Sequence, residues 1–163
     1  MFREMRRKKQ ALSTEETIKV LNKGTAGVLA IAGDEDYPYA VPLSYVYKDK
    51  KVYFHCSYNG QKIDAIRANP KVSFCVIDKD QVIPEEFTTY YRSVIIFGSA
   101  RILEDEKEKR YALEILAAKY SPDHKKGRLD EINKLYTQTC MVEIEIEHMS
   151  GKESIELVRE RDI

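Results

Sequence analysis

The segment Pro38 to Val76, PYAVPLSYVYKDKKVYFHCSYNGQKIDAIRANPKVSFCV, constrains the fold more than any other part of the chain. Tyr39–Tyr47 is rich in aromatic and β-branched residues and reads as a strand. Lys48-Asp49-Lys50 is a hairpin-length connection to a second strand, Lys51–Ser57. Alternation along it puts Val52, Phe54 and Cys56 on one face and Tyr53, His55 and Ser57 on the other. Tyr58-Asn59-Gly60 breaks the strand. Gln61–Ala68 is a short helix with Ile63 and Ile66 inward, and Asn69-Pro70 stops it. Val72–Ile77 then resumes as an almost wholly apolar strand. Pro42 cannot donate a ladder hydrogen bond, so it sits on an edge, at a bulge, or where the strand leaves the sheet.

The flanks add strands and helices without a βαβ rhythm. Ser13 and Glu16 form a capping box ahead of a helix that ends at Gly24. Gly27–Ala32 is a buried strand and Gly33–Asp36 a turn. Lys79–Glu86 reads as a polar loop. Thr88–Leu103 is a long strand with Gly98 at a bulge or bend. Asp105–Tyr120 is the longest helix, Leu129–Tyr136 a shorter one, and Thr139–Ile146 a closing strand. Six strands joined partly by hairpin-length links predict a mainly β fold with flanking helices, an antiparallel sheet closed into a small barrel. The 163 residues fit one domain, with a helical N-terminal arm over about 1–24 and a helical insertion over about 105–136.

Composition excludes several classes. Lys+Arg and Asp+Glu both number 27, so no overall basic bias argues for nucleic acid as partner. No apolar stretch is long enough for a bilayer, and the basic start MFREMRRKKQ has no apolar signal region after it. Three cysteines, Cys56, Cys75 and Cys140, lack CxxC spacing; buried structural thiols and a reducing cytoplasm are expected. No dinucleotide, P-loop, serine-hydrolase or zincin motif occurs, and His124 and His148 lack metal-ligand spacing.

One region gathers groups suited to a ligand. Gly60-Gln61-Lys62 opens a helix whose free N–H groups attract an anion, with Lys62 adding charge and Ser57 a hydroxyl. The same residues also suit an ordinary strand-to-helix turn with a solvated lysine. His55, alone between apolar residues on a strand, reads more often as a packed, hydrogen-bonded residue than as a catalyst or ligand. Arg92, beside Ser93, pairs with a carboxylate, lies at a rim, or reaches a phosphate as a bidentate donor. Tyr37, Tyr39, Tyr45, Tyr47, Tyr53 and Tyr58 crowd one region, as the wall of a planar ligand or a dimer interface.

Taken in order, GVLAIAGDEDYPYAVPLSYVY, KVYFHCSYNGQKIDAIRANPKVSFCV, FTTYYRSVIIFGSARIL and HMSGKESIEL resemble the pyridoxamine 5′-phosphate oxidase-like flavin-binding split barrels. Within these, the resemblance is to the 5-nitroimidazole-resistance branch. It implies a six-stranded split β-barrel that forms a homodimer with FMN at the subunit interface. Val41, Pro42, Leu43 and Ser44 would lie along the isoalloxazine ring, and His55 would sit close to it as the catalytic candidate. Ser57, Gly60, Gln61 and Lys62 would hold the phosphate, with Arg92 and Ser93 near the same pocket or contributed across the dimer. Many relatives carry histidine or arginine at the place of Gln61, so Lys62 is left with more of the neutralisation. The implied activity is FMN-dependent reduction of a small electron-poor substrate such as a nitro compound. A non-catalytic flavin carrier or sensor is the alternative. Haem binding through His55 or His148 is a more distant one.

Overall fold

The computed structural model describes residues 1–161. Among these residues, seven strands form one antiparallel sheet: β1 (Ala26–Ala32), β2 (Pro38–Ser44), β3 (Val46–Lys48), β4 (Lys51–Cys56), β5 (Lys71–Ile83), β6 (Thr88–Ile102) and β7 (Cys140–Glu153). Their order is β2-β1-β5-β6-β7-β4-β3. The two outermost strands, β2 and β3, are separated in the chain by Tyr45 alone. A flat sheet would put them far apart, so this sheet curls until its ends meet and the covalent chain completes the barrel.

The count is seven rather than six because the run Tyr39–Tyr47 is not one strand. Tyr45 is fully buried and leaves both ladders. Its ring hydroxyl donates to the Leu21 carbonyl at 2.8 Å. The link after β3 matches expectation: Asp49 and Lys50 take φ of 50° and 62°, a tight hairpin turn. The polar segment Lys79–Ile83 is also strand, not loop. It extends β5 against β6, with Val82 opposite Thr89, after a register shift between Ile77 and Lys79. Polarity misled there because this end is only partly covered. A second shift falls at Phe97/Gly98, as expected. A Cβ on Gly98 would stand 2.3 Å from the Glu145 carbonyl oxygen, so only glycine fits.

Two cores result. Inside the barrel, Leu29, Phe54, Phe74, Val94, Ile96 and Ile144 pack with Leu21 of α1 (Thr14–Lys23) and Ile63 of α2 (Gln61–Ala68). α1 starts from the expected capping box at Ser13 and Glu16. The second core lies outside the barrel. There Val46, Tyr53 and Met141 on the outer face of β3, β4 and β7 meet Leu113 and Leu116 of α3 (Glu106–Tyr120) and Ile132 of α4 (Lys125–Leu135). Buried Glu143 of β7 ties this layer down. It accepts from Lys51 at 3.0 Å and from Arg101 at 2.9 Å, and Arg101 also grips Glu108 of α3. A last helix, α5 (Ile155–Arg161), follows β7.

Candidate functional site

β2 is an edge strand, paired with β1 on one side only, and Pro42 stands opposite Val28. An edge tolerates its missing donor. Val41 and Leu43 turn toward the barrel core, whereas Pro42 and Ser44 are exposed. β2 therefore offers a shallow, largely apolar outer surface.

β4 shows the expected alternation. Val52 and Phe54 are fully buried in the barrel. Tyr53, on the opposite face, is also buried, under α3 and α4. His55 lies on that same outer face and is exposed. A cavity of about 420 Å³ opens here. Ser44 and His55 belong to its sheet side, and Leu113, Leu116, Ile132 and Leu135 to its helical side. The helical roof escaped the sequence reading. Its signal was the apolar spacing Leu113, Leu116, Ala117, Tyr120 continued by Ile132 and Leu135, which is wider than one sheet face needs.

After β4, Ser57 is exposed, and its hydroxyl accepts the Asn59 N–H at 3.4 Å. Gly60 is the N-cap of α2, at φ 120°, a conformation other residues avoid. A side chain there would meet nothing within 4 Å, so the space before the helix is open. The Gly60 carbonyl accepts from Ile63 and Asp64. Among the described residues, no side chain caps α2. The N–H groups of Gln61 and Lys62 have no hydrogen-bond partner among the described residues. Lys62 is half-buried, with its ammonium 6.0 Å from the Phe54 ring centroid. Gln61 is exposed, with its amide near Gly33 at the β1–β2 turn. These groups suit a phosphate.

Arg92 and Ser93 are placed elsewhere. Arg92 donates to Glu153 at 3.0 and 2.9 Å and to Asp78 at 3.3 Å, beneath α1. Ser93 faces a groove between the N-terminal arm and the outer sheet face, with His148 and Lys152. Neither borders the cavity of Ser44 and His55. His148 stacks on Phe2 at 4.8 Å. His124 does line the cavity, at the start of α4.

The cysteines are free thiols. Cys140 is buried as expected, whereas Cys56 and Cys75 are half-buried. Cys56 and Cys140 oppose each other across β4 and β7. Burial pushes the Cys56 thiol up to about 12 and raises the other two as well, which disfavours thiolate chemistry at neutral pH. Among the described residues, no group of three or more His, Cys, Asp or Glu is placed to hold a metal. No helix of those residues is long and apolar enough to cross a membrane.

A family model described as pyridoxamine 5′-phosphate oxidase matches residues 13–153. The chain belongs to that family. Its fold is similar to that of an FAD-binding protein from Mesorhizobium loti, at TM-score 0.62 and 30% identity over 88% of this chain and 95% of that one. It is also similar to a Bacteroides thetaiotaomicron structure described as a candidate 5-nitroimidazole antibiotic resistance protein. There the TM-score is 0.73 and the identity 21%, over 88% and 86% of the two chains. An uncharacterized protein of Rhizobium meliloti is 35% identical over 89 residues, 55% of this chain and 54% of that protein. This family member thus spans about half the length of the curated relative it matches. The matched family region takes in β2, His55, the start of α2 and the whole α3–α4 roof.

Proposed function

We propose that this chain is a flavoprotein that binds FMN and uses it to reduce a small electron-poor substrate such as a nitro compound. The observation that carries this is the placement of Ser44, at the end of the exposed edge strand β2, with His55 in one cavity. The uncapped, open start of α2 at Gly60–Lys62 lies in the loop that leaves β4. A ring along Val41, Pro42, Leu43 and Ser44 and a phosphate at Gly60, Gln61 and Lys62 would use both. The named binding of the Mesorhizobium loti relative to FAD supports a flavin.

When bound, the flavin supplies the two-electron chemistry. The chain's own residues supply the rest. The free N–H groups of Gln61 and Lys62 and the Lys62 ammonium neutralise and fix the phosphate. Ser57 adds a hydroxyl, and Pro42 leaves the edge strand β2 one backbone donor short. His55 faces the cavity with an imidazole able to hand a proton to a reduced substrate. The α3–α4 roof limits water around that transfer.

The protein is proposed to act as a homodimer with the flavin at the subunit interface. Ile77, Ile95 and Phe97 lie on one outer face of β5 and β6 and stay 63%, 40% and 40% exposed. Such an apolar strip fits a second copy. Ser93 shares that face and is the residue suited to reach a flavin across the interface. Arg92 is already committed to two carboxylates and would act through them.

Purified protein should carry the near-ultraviolet and blue absorption bands of an oxidised flavin, or acquire them when FMN is added. Mass analysis of the released cofactor separates FMN from FAD. Dithionite should bleach the bands, and a nitroaromatic should restore them. A colourless protein that takes up no flavin would refute the proposal.

A further inference from the structure

The cavity beneath α3 and α4 has a shape and polarity of its own. Its helical side is apolar, built by Leu113, Leu116, Ile132 and Leu135. Its volume, about 420 Å³, sits low in the range of roughly 300–1,000 Å³ typical of small-molecule sites. A compound of one or two rings fits, and a whole dinucleotide does not. The charged and titratable groups that border it are His55 from β4, Tyr120 from the end of α3, and His124, Arg128 and Glu131 from the start and middle of α4. Glu131 is exposed. Arg128 is half-buried, and one terminal nitrogen donates to the Ser121 and Pro122 carbonyls at 2.5 and 2.6 Å. These bonds fix the guanidinium at the cavity edge. Among the described residues it makes no ion pair and no other hydrogen bond, so its remaining N–H groups are free. A fixed, half-buried guanidinium with free donors beside an apolar chamber suits one planar anionic group.

We infer that this chamber is the acceptor site, and that it selects small, flat, mostly apolar molecules bearing one carboxylate-like group. The ring lies against Leu116 and Ile132, facing His55, and the anion meets Arg128 with His124 beside it. This rests on the flavin reading, because the chamber opens over the same Ser44 and His55. Arg128 is then a specificity-determining residue and α3–α4 a selectivity element.

The test titrates FMN-loaded protein with 4-nitrobenzoate and with nitrobenzene, following perturbation of the flavin spectrum. Wild type should bind 4-nitrobenzoate saturably and roughly tenfold more tightly than nitrobenzene, the scale of one charged hydrogen-bonded contact. Arg128→Met should remove that preference, weakening 4-nitrobenzoate far more than nitrobenzene. Leu116→Trp, which fills the chamber, should weaken both ligands, and Ile132→Phe does the same job if the first variant fails to load FMN. Equal binding of the two compounds by wild type would overturn the inference. So would no saturable binding of either, or filled variants that bind like wild type. A protein that takes up no FMN removes the reading beneath the inference; one that loads FMN but fails these comparisons removes the chamber alone.

Discussion

The Tyr120 hydroxyl accepts the backbone N–H of Tyr45 at 2.9 Å and lies 2.9 Å from the carbonyl oxygen of the same residue. One side chain of α3 thus serves both backbone groups of the residue where the barrel wall is interrupted. It also lies 2.5 Å from the Thr25 carbonyl, so its single hydrogen is shared between two acceptors. Without it, the break between β2 and β3 would leave polar backbone unpaired at the sheet's closure.

Tyr120→Phe keeps the ring and removes the hydroxyl. Stability should fall by about 1–3 kcal/mol, the cost of leaving a partly buried backbone donor unsatisfied. Urea unfolding measures it. An unchanged midpoint would show that water replaces the hydroxyl at no cost.

Lys109 of α3 is buried, with its ammonium 3.0 Å from the Tyr58 hydroxyl and 2.6 Å from the Tyr136 carbonyl. It also lies 4.2 Å from the Tyr136 ring centroid. It therefore braces the Tyr58–Gly60 link that leads into α2. Lys109→Met keeps the stem and removes the brace. FMN affinity should drop roughly tenfold while riboflavin affinity stays level, because only the phosphate end is loosened. A parallel loss for both ligands would point to a general defect.

Lys119 rests over the Tyr45 ring and donates to the Gly24 carbonyl. Burial pulls its ammonium down to about 8. Because the fold lowers this value, the unfolded chain holds the extra proton between about pH 8 and the ordinary lysine value of 10.5. Stability gains from this residue as pH rises through that window, and the penalty for its charge is fully present below it. Comparing the pH dependence of unfolding in wild type and Lys119→Met should isolate that gain. Identical curves would contradict it.

Much of this was legible in sequence, for local reasons. Period-two alternation placed Val52 and Phe54 on the face opposite His55. The capping box located α1, and Gly60 marked the start of α2. The break at Tyr45 was not legible, because the aromatic and β-branched residues around it favour a strand on both sides and the interruption depends on Tyr120, 75 residues away. The strand through Lys79–Ile83 was missed because polarity signals a loop, whereas its ladder to Thr88–Arg92 is what makes it a strand. Arg92 shows the limit for the site. The two carboxylates it pairs with, Asp78 and Glu153, are 14 and 61 residues distant, so spacing could not separate an ion pair from a phosphate ligand.

The proposed flavin site rests on a phosphate held at the start of α2. The most direct test is the affinity of wild type and Lys62→Ala for FMN and for riboflavin, followed by flavin fluorescence. Loss of the Lys62 charge should weaken FMN binding by roughly tenfold or more and leave riboflavin binding unchanged. Equal FMN affinity in the two proteins would contradict the account.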